Sequence, residues 1–537
     1  MYFVRKSALF ILLLLAVQLL CTTSLSAQQK SKIRLEGAKS MKNLNILGQK
    51  IIRYIDNVRF LYDNTRIVCD SAYYNADGNW FDAYGNVVIS KEKTKIYGDK
   101  LHFDGNTSVG ELSGKQVRLV EEDALLVTNN LRFNSKTNYV YYIGGGVLTS
   151  KDSKLTSKRG YYDRGRSSFA FAGDVQMLDP DGTVYTDSLE YNSTSEVAYF
   201  FGPTFLFNEG NFAYCEKGWH NRKFGQSNLQ KNAYILSGSN KLFGDAIFYD
   251  KANGYARSIG HVVVVDTTNK TYAYGDKANY WDTSKEAEIT ENPYVMMVDK
   301  TDTLFLRSDK LFVISRKDGN EVKNPKDSTY KVLKAIGNVK FFRNDIQGVC
   351  DSMTYNSLDS TLIMHVDPVM WNDVNQLSAN LITVHSANRQ IRQMDFEGAA
   401  FITSKEEEER FNQVAGKNIF AHFINGKLAR MDVIGNGQTV YYMREDDSLT
   451  MVNRAESSNL TIGVKDNKVS RIVFREKPIS NLYPIAMAEP EDVTLKGFRW
   501  LDSLRPKDKY AVIPKSLILF PDEKGKNRRM VLKPSIK

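Results

Sequence analysis

Three sets of residues in this 537-residue chain have the types that do chemistry. The first is the six histidines, His102, His220, His261, His365, His385 and His422. Imidazoles bind metals or relay protons, yet none of these stands at a metal-ligand or triad spacing from another. The second is a series of acids, Asp70, Asp99, Asp187, Asp245, Asp276 and Asp351. Paired carboxylates stacked on a scaffold are what a polysaccharide lyase or glycosidase needs. The third is Cys69, Cys215 and Cys350, which remain of the four cysteines once Cys21 in the apolar leader is set aside, an odd number of thiols that suggests a partner-linked cysteine in an oxidising compartment. A triple glycine starting at Gly144 has the look of a phosphate loop but lacks the strand-loop-helix setting.

The spacing of the acids changes their reading. From Asp70 to Asp245 the acid slot recurs in steps of 29, 30, 29, 29, 29 and 29 residues, each time after a small residue and before alternating apolar ones. Copies include "CDSAYY" at Cys69, "GDKLHF" at Gly98, "TDSLEY" at Thr186 and "GDAIFY" at Gly244. A side chain repeated at one bend in unit after unit serves that bend, where an Asx group bonds nearby backbone. The cysteines take the small-residue slot that other copies fill with Gly98, Thr128, Ser157 or Thr186. Cys69 and Cys215 are five repeats apart, about 24 Å at strand spacing, beyond the roughly 7 Å limit of a disulfide. They read as packed thiols.

A second mark alternates with the first. Gly85, Gly114, Gly145, Gly173, Gly202, Lys231 and Gly260 follow one another at 29, 31, 28, 29, 29 and 29 residues, and the series continues through Glu291, Gly337, Asp367, Gly398 and Gly435. Glycine inside an otherwise strand-like run marks a bulge or bend. Asx-, Gly- and Ser-rich turns such as "DGNTS" at Asp104 and "DPDGT" at Asp179 lie between. Each unit is therefore two strands of about ten residues, each bent at its middle, and it must stack on a neighbour to bury its apolar side. Alternation places Leu101 with Phe103 on one face, and likewise Leu189 with Tyr191 and Val262 with Val264. The fold class is all-β: an elongated solenoid of about thirteen coils of ~29 residues. Its aromatic stripe, Tyr74, Phe103, Phe133, Tyr162, Tyr191, Tyr249, Tyr280 and Tyr355, reads as a closed core or as a groove for an apolar ligand.

The ends differ from the repeat. Residues 1–27 carry Arg5 and Lys6, an apolar run from Ala8 to Leu20 and small residues up to Ala27, the layout of a secretory signal peptide. Cleavage is expected after Ala27, with Ser26 second and an uncleaved anchor as the alternative. An exported, periplasmic protein follows. From Pro478 the sequence is Pro-rich; a short helix is expected between Pro490 and Pro506, then a basic tail. The domain reading is 1–27 signal peptide, 33–478 repeat domain with a possible subdivision near 300–345, and 479–537 extension. Two polar inserts, "SRKDGNEVKNPKDSTY" from Ser315 and "SKEEEERF" from Ser404, are expected as loops or a short helix outside the column. The chain has 72 Lys+Arg against 62 Asp+Glu, spread along its length. No nucleic-acid partner is expected.

The strands "YGNVVI" at Tyr84, "FAGDVQM" at Phe171 and "IGNVKF" at Ile336, alternating with "CDSAYY" and "GDKLHF", resemble the OstA-like family of lipopolysaccharide-transport proteins. The resemblance runs roughly from Ile33 to Pro478. It implies a slightly open β-jellyroll, or β-taco, whose groove holds the acyl chains of lipopolysaccharide (lipid A). It also implies a bridge towards the outer membrane, joined edge to edge with other β-jellyroll domains of the transport machinery. No catalytic residue, metal or cofactor comes with it. The groove-lining residues are then Tyr74, Val87, Ile89, Leu101, Phe103, Leu131, Phe133, Tyr162, Val175, Met177, Leu189, Tyr191, Ile247, Tyr249, Val262 and Val264. The rival readings are a closed β-helix enzyme acting on polysaccharide and a cell-surface adhesin.

Overall fold

The computed structural model describes residues 31–515 apart from 122–123, 151, 164, 181, 300–301, 318–328, 388–389, 408, 447 and 466–467. The signal segment, the basic tail and most of the insert after Ser315 lie outside the described residues. Regular structure among the described residues is β-strand, with three short 3-10 turns and no α-helix. The chain forms two compact units, divided between Glu196 and Val197.

In the first unit each strand from Gln49–Tyr62 to Ser168–Asp179 pairs antiparallel with the strands before and after it. Trp80–Lys91, for example, lies between Thr65–Asn75 and Thr94–Asp104. The bend in its middle comes from two successive left-handed residues, Gly85 at φ 75° and Asn86 at φ 42°. Tyr84 pairs with Lys100 and Val87 with Gly98, so Gly85 and Asn86 face Asp99 alone. This is a β-bulge. A one-residue slip would ordinarily turn every later side chain to the other face. Here it falls at the corner, so both arms of each bent strand keep their apolar side inward. Two arms then face each other: Phe60 and Phe81 stack across the interior at 4.4 Å between ring centroids.

The recurring acids hold one bend to the next. Asp70 accepts a hydrogen bond from Asn86 Nδ2 at 2.9 Å, and Asp99 one from the Lys115 backbone N–H at 2.9 Å. In the second unit Asp245 meets His261 at 2.8 Å, Glu216 accepts from Asn232 at 2.8 Å and Asp276 from Asn292 at 3.3 Å. The partner in each case lies 16 residues on, in the following bend, rather than in the acid's own backbone. Lys158 occupies the acid slot in one coil and pairs with Asp174 at 2.6 Å, the same link with its charges exchanged. At two of the bends glycine also avoids the acid. A Cβ on Gly85 would lie 2.3 Å from the Asp70 carboxylate, and one on Gly260 2.3 Å from that of Asp245.

The second unit repeats this plan from Val197–Asn208 to Ile479–Pro484, with some strands split at the bend. Glu286–Thr290 and Tyr294–Val298 are the two arms of one such strand, with left-handed Glu291 and Asn292 between them. The insert from Ser404 is not a loop or a helix. It lengthens the hairpin of Gln390–Glu407 and Arg410–Ile424, where Asn412 and Arg444 bond Glu406. The Pro-rich extension also departs from expectation. The helix expected between Pro490 and Pro506 is absent: left-handed Gly497 at φ 93° breaks the segment, which holds only the three-residue turn Asp502–Leu504, with similar turns at Ile485–Met487 and Lys509–Ala511 on either side. The extension runs as a strap over one outer sheet face of this unit. Buried Gln413 and Gln376 each bond its backbone in both directions, Gln413 to Val493 and Leu495, Gln376 to Arg499 and Leu501. Further along, Val512 and Ile513 are buried against Val263, Val265, Tyr274 and Tyr294.

Candidate functional site

The inward side chains of the first unit fall into rows, one residue per strand. The row nearest one set of turns is aromatic: Tyr74, Phe81 and Phe103 are successive cross-strand partners. Gly110, Phe133, Val140, Tyr162, Phe169 and Tyr191 continue it. Gly110 leaves space that the Phe133 ring fills, 2.3 Å from where a Cβ would lie. Nearer the bend on the same arm run Leu101, Leu131 and Leu189; on the other arm run Val87 and Val175, then Ile89 and Met177. The structure thus brings all twelve of the expected first-unit residues, Tyr74 to Tyr191, to one interior.

They are not equally covered. Val87, Ile89, Leu101, Phe103, Leu131 and Phe133 are all at most 5 % exposed, with Phe103 at 0 %. Val175 and Leu189, beside the bend, are buried as well, whereas Tyr162, Met177 and Tyr191 are only partly buried. Up to about residue 135 the interior is a packed core. From Tyr139 it opens along the side away from the bends.

The change coincides with a row that sequence reasoning missed, the side chains at the mouth of the fold. Tyr62 donates to the Gly105 carbonyl at 2.8 Å and meets Ser108 Oγ at 2.7 Å, across the mouth. One repeat later, Lys91 Nζ donates to the Ser135 carbonyl at 2.6 Å and to Asn138 Oδ1 at 2.7 Å. Further along, the same row holds Thr94 and Glu121, joined at 3.2 Å, and then Ala124, Ser150 and Ser153, which are too short to span. A cleft of about 60 Å³ sits at the change, lined by Ile89, Ile96, Leu119, Phe133, Val140 and Tyr162 inside and by Lys91, Thr94, Glu121 and Asn138 at its rim. The spacing from Tyr62 to Lys91 is the only sequence signal for these ties.

In the second unit Ile247 and Val262 are buried at 1 % exposure and Val264 partly so. Tyr249 is 42 % exposed. Its row reads Ser227, Tyr249, Ala256, Tyr280, Ala287, so small side chains flank each tyrosine and leave it uncovered.

The other chemical candidates are absorbed by structure. Cys69, Cys215 and Cys350 are free and buried, and burial pushes each thiol up to about 12. Burial also raises the Tyr142 phenol, against the opposing effect of its 2.6 Å hydrogen bond with Ser157. His102, His261, His385 and His422 each pair with one aspartate. No group of three or more metal-ligating side chains occurs among the described residues.

No curated protein matches the chain, whereas solved structures and a family model do. Among solved structures, the chain is similar to LptH of Pseudomonas aeruginosa, described as the LptA-homologous periplasmic component of the lipopolysaccharide transport device. The identity is 14 %, the match covers 26 % of this chain and 81 % of that one, and the TM-score is 0.15. The family model for OstA-like protein matches residues 30–184, the segment that holds most of the aromatic interior and its mouth ties, and over those residues the chain is similar to that family.

Proposed function

We propose that this protein is a periplasmic carrier of lipopolysaccharide on its way to the outer membrane, holding acyl chains in the apolar interior while sugars and phosphates stay in water. The observation that carries this reading is the partly exposed apolar interior from Tyr139 to Asn192, where Tyr162, Met177 and Tyr191 are only partly buried and the described mouth residues Ala124, Ser150 and Ser153 are short. The OstA-like match, which takes in this stretch as far as residue 184, supports it. Each acyl methylene buried there contributes about 0.8 kcal/mol. Near-identical successive coils give the chain no deep resting place, which suits transfer rather than storage. Other β-jellyroll domains would join through unpaired strand edges, whose N–H and C=O groups recruit a strand.

Lipopolysaccharide binding by the purified chain, measured by displacement of a fluorescent lipid A analogue, tests the reading. Saturable binding that weakens several-fold in Tyr191→Asp is expected. Binding that is absent, or indifferent to charge at positions 162, 177 and 191, overturns it.

A further inference from the structure

The interior of the first unit has a closed end, and its position is fixed by three features. Phe81 meets Phe103 at 5.5 Å and Phe103 meets Phe133 at 6.2 Å, each ring at most 5 % exposed, so aromatic carbon already fills the space. Beyond them Ile33, 4 % exposed, lies over the start of the row; its carbonyl accepts from Tyr74 Oη at 3.2 Å, and its N–H donates to Asn79 at 3.1 Å. The mouth is tied by Tyr62 and Lys91 to turns 43 to 47 residues further along the chain. The cleft at the last tie measures about 60 Å³.

We infer that the first unit is blind-ended: an acyl chain enters between the arms of residues 139–192 and stops at Phe133, with Lys91 and Tyr62 as the positioning residues that keep the mouth shut behind the stop. This rests on the lipid-carrying reading and adds a direction to it. Lipid does not run through the coils of residues 49–134, so those coils serve as a stopper and not as a conduit. The ammonium and the phenol act through the turns they hold; neither needs to touch the lipid. The stop also makes the unit a ruler, since a longer chain leaves more methylenes outside.

The test uses the full chain and a diacyl phospholipid with a diazirine at the end of one palmitoyl chain, with adducts mapped by mass spectrometry after irradiation. Adducts on Tyr162, Met177 or Tyr191, and at least tenfold fewer on Phe60, Phe81 and Phe103, are the expected result. Comparable yields on Phe81 and Phe103 overturn the blind end while leaving the lipid reading intact. No interior adduct anywhere overturns both. In the double variant Tyr62→Phe, Lys91→Met, which keeps the side-chain bulk, adducts on Phe133 and Ile89 should rise several-fold. An unchanged map removes the two ties as the cause.

Discussion

Residues 49–134 and 139–192 are built from one repeat, with the same bends, the same strand pairing and the same inward aromatic row, yet the first stretch is a sealed core and the second an open cleft. The bends at Gly85 and Gly173 are left-handed alike, at 75° and 79°, while the one between Ser113 and Val117 carries an extra residue. The difference lies at the far ends of the strands, where Tyr62 and Lys91 reach across the mouth and Ala124, Ser150 and Ser153 do not. One row of side chains, far from the repeat's signature residues, decides whether an apolar interior is structure or site.

The largest effect expected from that contrast is in thiol chemistry. With its thiol near 12, native Cys69 should react with a maleimide roughly a thousandfold more slowly than an ordinary cysteine. In a Tyr191→Cys variant the introduced thiol should label at a near-ordinary rate. Equal protection of both positions erases the contrast. The same pKa gives a sign for pH: the folded state keeps Cys69 protonated above its ordinary value of 9.0 and up to about 12. Its contribution to stability is therefore complete below pH 9 and is lost as pH climbs to 12, which unfolding of Cys69→Ser at pH 8 and pH 10.5 would separate.

Packing gives the next effect. Phe103→Ala should cost about 3–5 kcal/mol in urea unfolding. Tyr191→Ala, already partly exposed, should cost under about 1.5 kcal/mol. Matching losses would mean the second stretch is as tightly packed as the first. Gly85→Ala comes after these, at about 1–2 kcal/mol for a left-handed alanine. Adding Asp70→Gly should recover part of that loss, because it removes the carboxylate 2.3 Å from the new Cβ.

The mouth ties are smaller again. Tyr62→Phe should cost about 1 kcal/mol, visible as faster amide exchange at Gly105 and Ser108, and Lys91→Met should act likewise at Ser135 and Asn138. Exchange that rises along the whole unit instead would show that the ties hold the core rather than its mouth. Least of all should be the exposed bend pair. Lys158→Asp removes a surface link worth under about 1 kcal/mol, and Asp174→Lys in the same chain should restore it.

Much of this was legible from residue order because a bend is a local event. Gly85, Asp99 and the small slot at Gly98 each answer to neighbours in their own or the next strand, so their demands recur with the period. The acids were read correctly as bend residues, although their partner proved to be the next bend, sixteen residues on. The inserts and the extension were not legible. Ser404–Phe411 has no alternation to mark it as strand, and the prolines of the extension say what it cannot be without saying what it lies against.

The sequence alone determined that this protein is a stack of bent strands with a continuous apolar interior, because period, alternation and left-handed corners are properties of short stretches. Only the tertiary structure decided where that interior is shut and where it is open. That depends on whether a side chain at one lip is long enough to reach a turn 43 or 44 residues away, a matter of distance in space that no spacing along the chain records.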